Sequence, residues 1–104
     1  MSDLYIRHAD ICKTLSNPKR LEIIDLLRDR AELTASQLIW KIKISKANLS
    51  QHMNILVQKG VVKTRRDGIN IFYQLSDVRI TMACDIMRDV LLSKIKEDAK
   101  LLII

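Results

Sequence analysis

Between Leu33 and Arg66 the chain carries seven cations (Lys41, Lys43, Lys46, Lys59, Lys63, Arg65 and Arg66) and no acid across 34 residues. Inside that stretch, Ala47, Asn48, Ser50, Gln51, Asn54 and Gln58 form a short, polar, uncharged face on a predicted helix. Asn and Gln present a donor and an acceptor together, which suits the major-groove edge of adenine, while lysine and arginine neutralise phosphates without reading sequence. The chemistry these residues can perform is therefore recognition of duplex DNA. The net charge of +6 is concentrated where a phosphate backbone would lie. A protein-interaction module turning the same basic face to an acidic partner is the rival reading. A salt-dependent duplex shift with sequence preference separates the two.

A second set of reactive side chains is smaller. His8 and Cys12 are four apart on one helical face, and Cys84 lies on a helix expected to pack nearby. Such a set at a subunit boundary could bind a metal or respond to oxidants as a thiol switch, although buried free cysteine and satisfied histidine are the commoner fates of these residue types. Cys12 and Cys84 form neither a CxxC pair nor a disulfide framework, so reduced thiols are expected. For an enzyme the sequence offers no activated nucleophile, no glycine-rich phosphate loop and no carboxylate pair in a plausible pocket. No catalytic residue, no cofactor and no metal is therefore expected.

The elements that position the basic stretch follow from local chemistry. Ser45 can cap a helix whose positions Leu49, Met53 and Leu56 share one face, and Gly60 suits its left-handed stop. Before it, Thr34 and Gln37 match a capping box that opens a helix from about Thr34 to Ile42. Only Lys43, Ile44 and Ser45 separate the two, and that brevity forces a helix-turn-helix crossing. The N-terminal turn, from Lys46 to Gln51, would go deepest into a major groove. His52 sits at the edge of the same helix, where a phosphate or backbone oxygen is its expected partner, and Trp40 falls on the exposed side of the preceding helix. Val61–Arg65 and Asn70–Leu75 read as strands around an Asp67-Gly68 turn, making a wing that carries Lys63, Arg65 and Arg66.

Flanking elements complete the domain. A first helix from Asp3 to Leu15 is predicted to bury Leu4, Ile11, Cys12 and Leu15 along one stripe. Asn17 and Pro18 start a second helix that should run to about Asp29 and bury Leu21, Ile24 and Leu27. From Val78 to about Leu101 a long helix has apolar residues on more than one side, more than a single core can cover. The expected fold is mainly α with a small β-hairpin, in the order α-α-α-α-β-β-α: one winged helix-turn-helix domain over residues 1–104. Its last helix (about 78–101) is therefore read as a dimer helix, to which the LLII end adds apolar surface. Aliphatic-rich composition, with 48% apolar but 4% aromatic residues and only two Gly and one Pro, fits tightly joined helices. No apolar run approaches the roughly 18 residues of a membrane span. A cytoplasmic location without membrane contact is expected.

In order and spacing, LSNPKRLEIIDLL, ELTASQL, ISKANLSQHMNILVQKGVV and TRRDGINIFYQL resemble the ArsR/SmtB family of repressors over roughly Asp10 to Ser76. The resemblance implies a homodimeric winged helix-turn-helix repressor, its first and last helices (about 3–15 and 78–101) forming the dimer interface, that binds a palindromic operator and releases it when an inducer is sensed. Its recognition helix would be Lys46 to Lys59, and the DNA-binding set Lys41, Ser45, Lys46, Ala47, Asn48, Ser50, Gln51, His52, Asn54, Lys63, Arg65 and Arg66. Where the family's soft-metal sensors have the cysteines of ELCVC, this chain has Thr34 and Ser36, whose hydroxyls are poor ligands for such metals. Where zinc and nickel sensors carry Asp and His along the last helix, this one has Asp77, Asp85 and Asp89 without His. Asp25 stands at about the place of a sulfide-sensing cysteine. The inducer is therefore left unidentified.

Overall fold

A computed structural model describes residues 2–102. The elements in chain order are α1 (Ser2–Leu15), α2 (Pro18–Leu26), β1 (Leu33–Thr34), α3 (Ala35–Ile42), α4 (Lys46–Gln58), β2 (Val62–Asp67), β3 (Asn70–Leu75) and α5 (Arg79–Leu102). The predicted helices all form, and a strand that the sequence reading lacked joins them. Two residues long, β1 pairs antiparallel with β3, Leu33 opposite Tyr73 and Thr34 opposite Phe72, so the wing is a three-stranded sheet in the order β1-β3-β2. Two residues cannot display the alternation by which a strand is recognised in sequence.

Caps behave as their residue types dictate. Asn17 Oδ1 accepts from the backbone N–H of Lys19 and of Arg20 at the start of α2. At α3 the capping box is complete: Thr34 Oγ1 accepts from Gln37 N at 3.3 Å and Gln37 Oε1 accepts from Thr34 N at 2.8 Å. Lys43 ends α3 at a φ of +60°, so the turn places a lysine where glycine would be unstrained.

Three expected boundaries move. The second helix stops at Leu26 rather than near Asp29, because the Leu27 N–H is shared between the Ile23 and Ile24 carbonyls and Asp29 and Arg30 follow in the left-handed region. Strand β2 starts at Val62, leaving Val61 buried just ahead of it, and extends through Asp67. Asp67 pairs with Asn70, so the hairpin turns on Gly68 and Ile69, and only Gly68 of that pair has positive φ.

Eleven buried side chains make the core: Ile23, Ile24 and Leu27; Leu38 and Ile42; Leu49, Met53 and Leu56; Val61, Val62 and Leu75. It lies between α2, α3, α4 and the base of the sheet. Leu21, expected inside, is exposed, and Ile23 takes the inward position. The stripe expected on α1 is not covered either: Leu4 and Ile11 are exposed, as are His8 and Cys12, and the side chains that α1 buries to any extent lie near its end, among them Thr14 and Leu15. Along α5, Ile80 and Cys84 pack against the core and Thr81 is buried, whereas Ala83 and Met87 are exposed. A radius of gyration of 16.2 Å, against about 13 Å for a compact chain of this size, reflects these projecting helices. Ile103 and Ile104, half of the LLII end, lie outside the described residues.

Candidate nucleic-acid interface

Helix α4 is held by its inward residues and its cap. Leu49, Met53 and Leu56 are at most 2% exposed, and Ser45 Oγ accepts from Asn48 N at 3.1 Å. That cap engages the Ser45 hydroxyl within the chain. On the opposite side Lys46, Ala47, Asn48, Ser50, Gln51 and Asn54 are exposed together, and among the described residues the amides of Asn48, Gln51 and Asn54 have no side-chain partner. A helix face with free donors and acceptors, small residues at its start and no acid can approach base edges closely.

The surrounding charge is less uniform than the sequence suggests. Acids from outside the basic stretch reach into it: Asp10 of α1 lies 3.0 Å from Lys59 Nζ, and Glu32 Oε2 accepts from Arg65 Nε at 2.7 Å. The Arg65 guanidinium also lies over Phe72, 4.7 Å from the ring centroid, and Glu32 raises its already high pKa further. Arg65 is thus already paired with Glu32 and laid over Phe72, a neighbourhood that the sequence reading did not indicate. Lys41, Lys43, Lys46, Lys63 and Arg66 are exposed with no acidic partner among the described residues. Trp40 is exposed on α3, as its position on the helix predicts.

His52 is half-buried and finds a partner that the sequence did not indicate. Arg20 Nε donates to His52 Nδ1 at 3.2 Å, while Arg20 Nη1 donates to the Thr14 carbonyl at 3.2 Å. One guanidinium thereby ties the end of α1 and the middle of α4 to the start of α2. Its Nδ1 accepts from an arginine 32 positions away, a partner that sequence spacing does not reveal.

Burial and the Arg20 charge hold the His52 pKa below the ordinary imidazole value of about 6.5. A histidine depressed in the folded state contributes stability that is complete above the unfolded pKa and is lost as pH falls through the folded value. Urea unfolding is therefore expected to show wild-type stability declining below about pH 6.5 more steeply than that of His52→Gln, which keeps an acceptor but does not titrate. Equal slopes would contradict this assignment.

The second candidate set does not assemble within the single chain. His8 and Cys12 project from α1, Cys84 packs partly buried against the core, and no three His, Cys, Asp or Glu among the described residues are grouped to hold a metal. Burial raises the Cys84 pKa, so its thiol stays protonated and less nucleophilic. Thr34 and Ser36 bring no thiolate to α3, and the Thr34 oxygen already serves its cap.

The family model described as bacterial regulatory protein, arsR family, matches residues 17–64, from the cap of α2 into β2. An uncharacterised HTH-type transcriptional regulator of Mycobacterium tuberculosis, Rv0081, is 34% identical over 88 residues, which are 85% of this chain and 77% of that protein. The chain belongs to the arsR family. Its relatives also include the arsenical resistance operon repressor of Staphylococcus xylosus, 43% identical over 72 residues, 69% of this chain and 68% of that protein. The crystal structure of the M. tuberculosis protein superposes with a TM-score of 0.82 at 31% identity, covering 92% of this chain and 96% of that one. As an arsR-family winged helix, the protein is a DNA-binding transcriptional regulator, with α3 and α4 as its helix-turn-helix and β2–β3 as its wing. No helix among the described residues is long and apolar enough to cross a membrane.

Proposed function

We propose that the protein acts as a homodimeric repressor in the cytoplasm, placing its two α4 helices in successive major grooves of a palindromic operator. The observation that carries this reading is the exposed, acid-free face of Asn48, Ser50, Gln51 and Asn54, flanked by Lys46, Lys63 and Arg66 with no acidic partner among the described residues. DNA binding on this reading needs no cofactor and involves no catalytic step. Release comes from an inducer other than a soft metal held at Thr34 and Ser36, since neither residue supplies a thiolate.

Selection from random duplexes, followed by titration of the selected site at several salt concentrations, tests this. A two-fold symmetric site is expected, bound roughly a thousandfold or more tighter than random duplex, with the logarithm of affinity falling linearly with the logarithm of salt. Recovery of no preferred sequence would overturn the proposal.

A further inference from the structure

Beyond the packing of Ile80, Thr81 and Cys84, α5 is fastened to the body by charge. Arg28, just past the end of α2, donates from Nη1 to Asp85 Oδ2 at 3.2 Å and from Nη2 to Asp85 Oδ1 at 2.9 Å. This is a two-pronged grip, which fixes direction as well as distance. The same guanidinium donates from Nε to Asp25 Oδ1 at 3.0 Å and from Nη2 at 2.6 Å, so Arg28 is itself held in place from within α2. One turn along α5, Arg88 Nη1 lies 3.7 Å from Asp25 Oδ1. Asp85, Arg28, Asp25 and Arg88 therefore alternate in sign across the junction.

Beside this cluster a cavity of about 410 Å³ opens between the chain after α2 and the start of α5, lined by Arg28, Arg30, Thr81, Met82 and Asp85 among others. Apolar packing does not brace the helix on that side. Exposed ion pairs contribute little to stability, and these side chains are roughly 40% exposed, so the consequence of the cluster is geometric. A long helix makes a sensitive lever. Rotation by about 10° at Asp85 displaces a point about 25 Å further along α5 by roughly 4 Å, more than the step of about 3.4 Å between base pairs.

We propose that Arg28 is a positioning residue for operator recognition: by gripping Asp85 while tied to Asp25, it sets the angle between α5 and the body that carries α4. It thereby sets the half-site separation that the dimer accepts. This inference rests on the dimeric reading above.

The test uses the full chain with palindromic duplexes built on the selected site, whose half-sites are moved together or apart by one and two base pairs. Wild type is expected to prefer one separation. In Asp85→Asn the affinity at that separation should fall about fivefold or more, the discrimination between separations should flatten, and binding to random duplex and the sedimented mass should not change. Asp85→Glu keeps the charge on a longer arm and is expected to move the preferred separation; it serves as the reading if the Asn variant does not fold. A spacing profile identical to wild type in the folded variants would overturn the positioning role. Absence of any spacing preference in wild type itself would instead overturn the dimeric reading, and this inference with it.

Discussion

Sedimentation of the purified protein at micromolar concentration is expected to give twice the chain mass of 12.0 kDa. The argument starts from α5, where Met82, Ile86, Met87 and Val90 are each more than half exposed. On α1, Leu4, Tyr5 and Ile6 are more than 60% exposed. Scattered surface apolar residues are ordinary, but this many large apolar side chains exposed along two helices of a 104-residue chain are not, and such surface marks association sites. A second copy covers such faces symmetrically, because a two-fold interface buries the same patch on both subunits. Placing carboxylates there, as in Ile86→Asp with Val90→Asp, is expected to yield a 12.0 kDa species. Operator binding by that species should fall by about a thousandfold, to the level of random duplex, since one subunit engages one half-site. A wild-type mass of a single chain would refute the dimer, and full operator affinity in the monomeric variant would refute the two-half-site reading.

Local chemistry made much of this molecule legible before the structure. The capping residues Asn17, Thr34 and Ser45 each act within three residues of themselves, and α4 shows its buried and exposed faces in a single helical period. The exposed polar face of α4 could be read for that reason. What stayed hidden depends on distant partners. Arg20 meets His52, Arg65 meets Glu32 and Arg28 meets Asp85 across separations of 32, 33 and 57 residues. Periodicity says which face of its own helix a side chain occupies, but not which arm from elsewhere will reach it. The acid-free stretch misled for the same reason: it is free of acids along the chain, while Asp10 and Glu32 fold back onto it. The turn was misplaced by one residue because Asp67-Gly68 and Gly68-Ile69 both supply the glycine, and only the Asp67–Asn70 pairing decides between them. Burial on α1 was overestimated because a stripe of apolar spacing identifies a face that wants covering without saying whether the same chain covers it.

If α4 enters the groove as proposed, substitutions on its exposed face and among the flanking cations should divide into two groups. Asn48→Ala and Gln51→Ala are each expected to cost about 1 to 3 kcal/mol at the selected site and little on random duplex, since they remove base-edge hydrogen bonds. Both side chains are exposed near the start of α4, where a helix penetrates the groove most deeply, and neither has a partner within the described chain to lose. Lys46→Ala, Lys63→Ala and Arg66→Ala should weaken all sequences alike, each lowering the salt slope by about one, because each removes one phosphate neutralisation. Arg65→Ala tests the structure more sharply than these. Its charge is already offset by Glu32 at 2.7 Å and its guanidinium rests on Phe72, so it releases fewer counterions on binding than Arg66 does. Its salt slope should therefore stay closer to wild type than that of Arg66→Ala. Equal slopes for the two arginine variants would mean that the Glu32 pair opens on DNA, and identical behaviour of the amide and cation groups would mean that α4 enters the groove on a different face.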